Sequence, residues 1–248
     1  MSGPQNPKPH LEALFPMEQV ATRAWLEVQG FRRHSLDNFL KSGQLVALVG
    51  GVYARPELPV TWQGLVASLP RLEKRPILVA GLTALQLQGF AHYLRLGAEE
   101  QVVLASQGPC PGWLERSFAA LPRRLVWLSG VRLWNQGWPS SPAVKQLPWQ
   151  DRGMVLPVSA PEQAFLELLS SVPEQVSLEH AEELLQGLTQ LSPSRLEDLL
   201  GECRSVKVKR LFFWLADRQN HTWRKRLDPK AYDLGSGNRV LVKGGRLD

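Results

Sequence analysis

Arg32, Arg33, His34, Asn38 and Lys41 fall in one short stretch, and together they carry the chemistry that reads DNA. An arginine guanidinium pairs bidentately with guanine, and an asparagine amide does so with adenine. Lysine suits phosphate oxygens, which supply affinity and register but no sequence information. Ser35 belongs to the same stretch, and Arg55 beyond it offers a further phosphate contact. The competing reading is a small helical subdomain whose basic face is merely solvated.

The elements around these residues favour the first reading. Gly30 interrupts a helical pattern carrying Val20, Ala24, Trp25, Leu26 and Val28. Ser35 is suited to cap a second helix, in which Leu36, Phe39 and Leu40 repeat at i, i+3 and i+4. Gly43 stops that helix. The apolar runs Leu45 to Leu48 and Val52 to Ala54 are separated by Gly50-Gly51, a hairpin signal. Helix, glycine turn, second helix and hairpin is the order of a winged helix-turn-helix, whose second helix enters the major groove with its N-terminal residues foremost.

Other chemistry is poorly supported. His10, His34, His92, His180 and His221 show no HExxH or HxxxH spacing, and Cys110 and Cys203 form no CxxC pair, so the reading includes no metal, cofactor or disulfide framework. His92 among apolar neighbours suits a hydrogen-bonded core position. Glu99-Glu100 and Glu182-Glu183 are adjacent pairs whose side chains diverge. Gly235-Ser236-Gly237 lacks the third glycine of a dinucleotide site, and no Walker pattern occurs. No catalytic residues and no enzyme activity are therefore expected. The 248 residues, 44% hydrophobic and 21% charged, suit a folded protein, and a net charge of +6 favours an anionic partner. No apolar run approaches a membrane span, and residues 1–10 are polar and proline-rich rather than a signal peptide, so a cytoplasmic protein with no membrane partner is expected.

The pattern predicts an α+β chain: a tail over 1–10, the winged helix-turn-helix over 11–57, a mixed α/β region over 58–158 and a helical region over 159–248, with 58–248 also readable as one domain. Leu11 to Gln19 suggests a short helix kinked by Pro16. Pro70 should end a helix beginning near Val60, Gln101 to Ala105, Arg124 to Leu128 and Met154 to Val158 read as strands, and Gly137 to Pro148 reads as a loop or sheet edge. Ser159-Ala160-Pro161-Glu162 matches a capping box, and Ser177, Ser192 and Ser205 each open a further helix. The last of these carries Lys207, Lys209 and Arg210 in its first turns, where positive charge opposes the helix dipole. With Arg218, Trp223 and Arg224 these form a basic, aromatic cluster that reads either as a partner site or as a solvated face around a core tryptophan. Arg239 to Lys243 suggests a final strand.

Three blocks carry a family resemblance. They are Ser42-Gly43-Gln44-Leu45 with Gly51-Val52-Tyr53-Ala54, Gly81-Leu82-Thr83-Ala84-Leu85 running on to Phe90-Ala91-His92-Tyr93, and the series from Ser159-Ala160-Pro161-Glu162 through Ser205-Val206-Lys207-Val208-Lys209-Arg210-Leu211 to Asp233-Leu234-Gly235-Ser236-Gly237-Asn238-Arg239. In this order the chain resembles the AbiEi-like antitoxins of type IV, or abortive infection, toxin–antitoxin systems. The resemblance implies repression of its own operon through inverted repeats, and a C-terminal part that counters a nucleotidyltransferase-like toxin, directly or functionally. Two departures are visible. Val49-Gly50 stands where the family often has arginine at the wing tip, which leaves Arg55 as the substitute. A further strand would be expected after Gly244-Gly245. The rival readings are a winged regulator with a ligand-sensing C-terminal domain and, more distantly, an enzyme acting on nucleic acid.

Overall fold

The computed structural model describes residues 14, 16–90, 101–136, 138, 143–149 and 154–236. The N-terminal tail, residues 11–13 and 15 of the expected Leu11 to Gln19 helix, His92, Glu99-Glu100 and the Arg239 to Lys243 strand lie outside the described residues, and residues 16–19 are turn rather than helix. By Cα proximity the chain forms two compact units, Met1–Lys74 with Pro111–Arg123, and Arg75–Cys110 with Arg124–Asp248.

The first unit opens with β1 (Val20–Thr22), α1 (Arg23–Val28), α2 (Arg33–Lys41), β2 (Val46–Val49), β3 (Val52–Ala54) and α3 (Trp62–Leu72). The three strands form an antiparallel sheet in the order β1-β3-β2, with Val20 opposite Ala54 and Val49 opposite Val52. Val20, expected within the first helix, is a strand residue instead. It completes the sheet along β3, and the helix starts only after Thr22, whose hydroxyl accepts the Trp25 N–H at 3.2 Å. Val28 is correspondingly exposed, at 81%.

Both helices of the helix-turn-helix end in the same device. At φ +89°, Gly30 donates its N–H to Glu27 C=O, and Phe31 donates to Leu26 C=O, each at 3.0 Å. At φ +71°, Gly43 donates to Leu40 C=O at 3.2 Å, and Gln44 to Phe39 C=O at 2.9 Å. These paired bonds satisfy the last carbonyls of each helix, and their left-handed residue favours glycine. The start of α2 differs from expectation. Arg32 rather than Ser35 is the N-cap, with no side-chain cap bond, and Ser35 lies in the first turn. Phe31, just before the cap, and Leu36, at the fourth helical position, share one buried cluster with Ala21, Leu26, Leu45 and Tyr53. A hydrophobic staple of this kind fixes the entry of the chain where a side-chain cap is lacking.

Helix α3 is capped by Thr61, which accepts the Gly64 N–H at 3.1 Å, and it runs on past Pro70 to Leu72 rather than stopping there. It grips the sheet through polar bonds. Ser68 Oγ accepts the Val20 N–H at 2.9 Å, and Arg71 donates to Gln19 Oε1 at 2.8 Å and to Val20 C=O at 2.6 Å. The Arg71 guanidinium also lies 4.9 Å from the Trp25 ring centroid. Burial lowers its pKa to about 10, which leaves it charged at neutral pH.

The chain continues into the second unit with β4 (Leu78–Val79), α4 (Gly81–Leu87) and β5 (Gln101–Ser106), and returns to the first with α5 (Gly112–Ala119). There Trp113 Nε1 donates to Glu73 Oε1 at 2.7 Å, so a helix expected in the middle region packs with the winged unit. The second unit then adds β6 (Arg124–Ser129), α6 (Gly130–Leu133), β7 (Val144–Trp149), β8 (Met154–Ser159), α7 (Pro161–Ser170), α8 (Leu178–Gly187), α9 (Pro193–Glu202) and α10 (Val206–Arg218), with 3-10 turns at Thr222–Arg226 and Pro229–Ala231. Its sheet has the order β6-β5-β4-β8-β7. Strands β5 and β6 run parallel, as do β4 and β8, while β4/β5 and β7/β8 are antiparallel. Pro148 sits in edge strand β7, the position a strand proline tolerates.

Helix α7 is the axis of this unit, buried from Pro161 to Leu169 and packed against α4, α9 and α10. The capping box expected at its start does not form, because both of its side chains are used in tertiary bonds. Ala160 is the N-cap, without a side-chain bond. Ser159 Oγ instead donates to Glu167 Oε1 at 3.1 Å, and Glu162 Oε1 accepts the Ser192 N–H at 2.7 Å. Ser177, Ser192 and Ser205 do cap α8, α9 and α10, accepting the N–H of His180, Arg195 and Val208. The carboxylate of Glu167 gathers three donors from three elements. Gly81 N–H reaches Oε2 at 3.1 Å, while Ser159 Oγ and Gln163 Nε2 (2.8 Å) share Oε1. Burial outweighs these bonds and raises its pKa to about 7.

A raised carboxylate pKa means that the folded state holds the proton more tightly than the unfolded chain. The associated stability is complete below an unfolded pKa of about 4.5 and is lost as the pH rises through about 7. The size of the effect is roughly 3 kcal/mol between these limits. Urea unfolding followed from pH 4.5 to 8 should therefore show a steeper loss of stability in the natural chain than in Glu167→Gln. Parallel curves would contradict this assignment.

Candidate nucleic-acid interface

The sequence sets two faces on α2. Leu36 is buried and Phe39 and Leu40 are half-buried, with the Phe31 and Phe39 ring centroids 5.8 Å apart. The opposite face exposes Arg33, His34, Asp37, Asn38 and Lys41, and Arg32 is exposed at the cap. One turn apart, His34, Asn38 and Lys41 form one line along the helix, and Arg33, Asp37 and Lys41 another. Ser35 is half-buried beside them. Among the described residues, Arg32, Arg33, His34, Asn38 and Lys41 hold no ion pair and no side-chain hydrogen bond. Their donors are thus available to a ligand. No acidic residue offsets the cations in the first turn, an arrangement that helix stability alone does not favour.

The scaffold under this face is cross-tied. The Arg23 N–H donates to Gly51 C=O at 2.8 Å, which pins the hairpin turn to α1. The Arg23 guanidinium donates to Tyr53 Oη at 2.9 and 3.2 Å, and this hydroxyl raises its pKa further above the ordinary arginine value. The Arg23–Tyr53 pair was not foreseen from sequence. A tyrosine in a short, otherwise apolar strand was its only signal. On β2, Val46 and Ala47 are exposed, and the hairpin tip Gly50-Gly51 carries no cation.

Arg55 departs from expectation. It is 7% exposed, and its Nη2 and Nε donate to Glu57 Oε1 at 2.5 and 3.2 Å. The Arg55 guanidinium in turn holds the Glu57 carboxyl below its usual range. A buried arginine locked to a carboxylate is not the open phosphate contact that the sequence suggested.

The C-terminal basic cluster is likewise turned inward. Lys209 is 5% exposed and Trp223 is 3% exposed. Trp223 Nε1 donates to Leu188 C=O at 2.9 Å, and its ring stacks with Phe212 and His221. Arg224 pairs with Asp217 at 2.7 Å, donates to Leu227 C=O at 2.7 Å and lies over the Phe213 ring. Arg210 donates to the carbonyls of Leu234 and Gly235. Lys207 and Arg218 keep partly exposed side chains, facing Glu174 at 3.6 Å and Glu182 at 2.7 Å. The structure does not present the six as one open patch. Three of them, Arg210, Trp223 and Arg224, tie α10 to the turns that follow it. Among the described residues no group of His, Cys, Asp and Glu is arranged to hold a metal, and no helix is long and apolar enough to cross a membrane.

Helix, glycine turn, exposed cationic helix and three-stranded winged sheet define a winged helix-turn-helix unit, carried in an α+β chain with a larger second unit. A family model described as transcriptional regulator, AbiEi antitoxin N-terminal domain, matches residues 7–96, and one described as transcriptional regulator, AbiEi antitoxin, type IV TA system, matches residues 99–248. The chain belongs to the AbiEi antitoxin family of type IV toxin–antitoxin systems. No curated protein matches it. Among solved structures, the RV2827C protein from Mycobacterium tuberculosis is similar at a TM-score of 0.53 and 19% identity, over 86% of this chain and 75% of that one, which is a likeness of fold.

The inward cluster makes a prediction about stability. Trp223→Ala removes a buried indole and should cost roughly 3–5 kcal/mol, whereas Arg218→Ala, at a partly exposed pair, should stay within about 0.5 kcal/mol of the natural chain. Chemical denaturation of the two variants checks this. Similar small effects would return Trp223 to the surface.

Proposed function

We propose that this chain is an antitoxin that also represses its own operon. In this reading α2 enters the major groove at an inverted repeat, with Arg32, Arg33 and His34 foremost, Asn38 on a base edge and Lys41 on phosphate. Ser35, half-buried in the first turn, is a secondary contact, and Arg55 is left out. The observation that carries the reading is the row of unpaired donors on the exposed face of α2, held on a helix whose ends are fixed by the turns at Gly30 and Gly43. Membership of a family described as transcriptional regulators supports it. A helix-turn-helix covers one half-site, so two copies on a palindrome are expected.

The antitoxin role belongs to the second unit, acting against a nucleotidyltransferase-like toxin, directly or functionally. The inward placement of the basic cluster argues that Lys209, Arg210, Trp223 and Arg224 serve this role through the fold they hold. Lys207 and Arg218 remain the members open to a partner.

The test is binding of the purified protein to DNA from upstream of its own gene across a salt series, run beside a toxin-rescue assay. The natural chain should prefer this DNA over random sequence, with affinity falling as salt rises. Arg32→Ala/Arg33→Ala should lose most of the preference, and Lys41→Ala should weaken all sequences alike and flatten the salt slope by about 1. All variants should still rescue cells from the toxin. Equal affinity for random DNA would overturn the DNA-reading role, and loss of rescue together with DNA binding would overturn the division of labour.

A further inference from the structure

A cavity of about 430 Å³ opens in the second unit beside the C-terminal ends of the parallel strands β5 and β6, where Ala105, Leu128 and Ser129 line it. Crevices at the carboxyl ends of parallel strands are where open α/β sheets take their ligands. The volume lies within the range of small-molecule sites. Strand β6 adds Trp127, and α6, α7 with the turn after it, and the start of α10 bring Arg132, Glu167, Glu174, Ser205 and Lys207 to the same space.

These groups have a common chemistry. Arg132 is exposed and forms no ion pair among the described residues. Lys207 stands in the first turn of α10, where its charge works against the helix unless an anion is nearby. Its ion-pair partner among the described residues is the carboxylate of Glu174, at 3.6 Å and 69% exposed, which borders the same cavity. Guanidinium, ammonium and the hydroxyls of Ser129 and Ser205 form a donor set suited to phosphate oxygens. The Trp127 Nε1–H already donates a hydrogen bond to Gly108 C=O at 3.0 Å, so its contribution to the wall is the aromatic ring, a surface on which a base can stack.

We propose that this cavity binds a mononucleotide, with its phosphates at Arg132 and Lys207 and its base toward Trp127. The site goes beyond the DNA-reading function and shares none of the α2 residues. It gives the second unit a means of sensing a small molecule. Glu174 competes with the phosphates for Lys207 and sets the affinity lower than the cations alone would.

The full chain is titrated calorimetrically with ATP, GTP, CTP and UTP, with pyrophosphate as a second probe. At least one nucleotide should bind with submillimolar Kd and pyrophosphate more weakly. Arg132→Ala/Lys207→Ala should weaken nucleotide binding at least tenfold, and Glu174→Gln should tighten it severalfold. Arg32→Ala/Arg33→Ala, on the first unit, should leave it unchanged. Far-UV circular dichroism and an unchanged urea-unfolding midpoint verify that each second-unit variant is folded. No binding at millimolar nucleotide would overturn the proposal, as would equal binding by the Arg132→Ala/Lys207→Ala variant. Pyrophosphate binding as tight as any nucleotide would overturn the assignment of a base to Trp127.

Discussion

Gly30 and Gly43 each close a helix in the left-handed region, and everything at the DNA-reading face depends on what lies between them. The bond pairs at the two turns satisfy the terminal carbonyls of α1 and α2 and fix the angle at which the chain leaves each helix. With both exits set, Phe31 and Leu36 reach one buried cluster and α2 has a single rotational setting. Only that setting turns Arg33, His34, Asn38 and Lys41 outward together. A side chain at either glycine would strain the turn and rotate the reading face as much as destabilise it. Stability and function are therefore coupled through two residues that carry no chemistry of their own.

The second unit solves a different problem. Helix α7 lies buried along nearly its whole length yet carries Glu162, Gln163 and Glu167. Buried polar groups are tolerated when they are bonded, and each of these reaches another element. Glu167 joins α4, β8 and α7, while Glu162 joins α7 to the start of α9. The basic and aromatic residues around α10 continue the pattern, with Arg210 and Arg224 spending their donors on backbone carbonyls. Charge that reads as surface in the sequence is here the fastening of helix ends and turns.

Much of this was legible before the structure. Glycine punctuation, hydrophobic spacing and serine caps located the winged unit, its exposed basic helix and three of the four C-terminal helix starts, because local chemistry decides those features. Long-range pairing was not legible. Nothing near Val20 announces that it will join β3 as a strand, and nothing near Ser159 and Glu162 announces that α9 and Glu167 will claim both capping groups. Arg55 followed the same course, since a guanidinium two residues from a glutamate reads equally as an open contact or a closed pair until burial decides. The cavity beside β6 draws its walls from separate stretches of the chain and has no local signature at all.

The central claim is that α2 reads the major groove. Dimethyl sulfate protection of guanine N7 on the upstream DNA tests it most directly, because N7 is reached from the major groove alone. The account predicts two clusters of protected guanines about one helical turn apart, or a multiple of it, with protection lost in Arg32→Ala/Arg33→Ala. Unprotected guanines under a fully bound protein, or protection that survives in that variant, would contradict it.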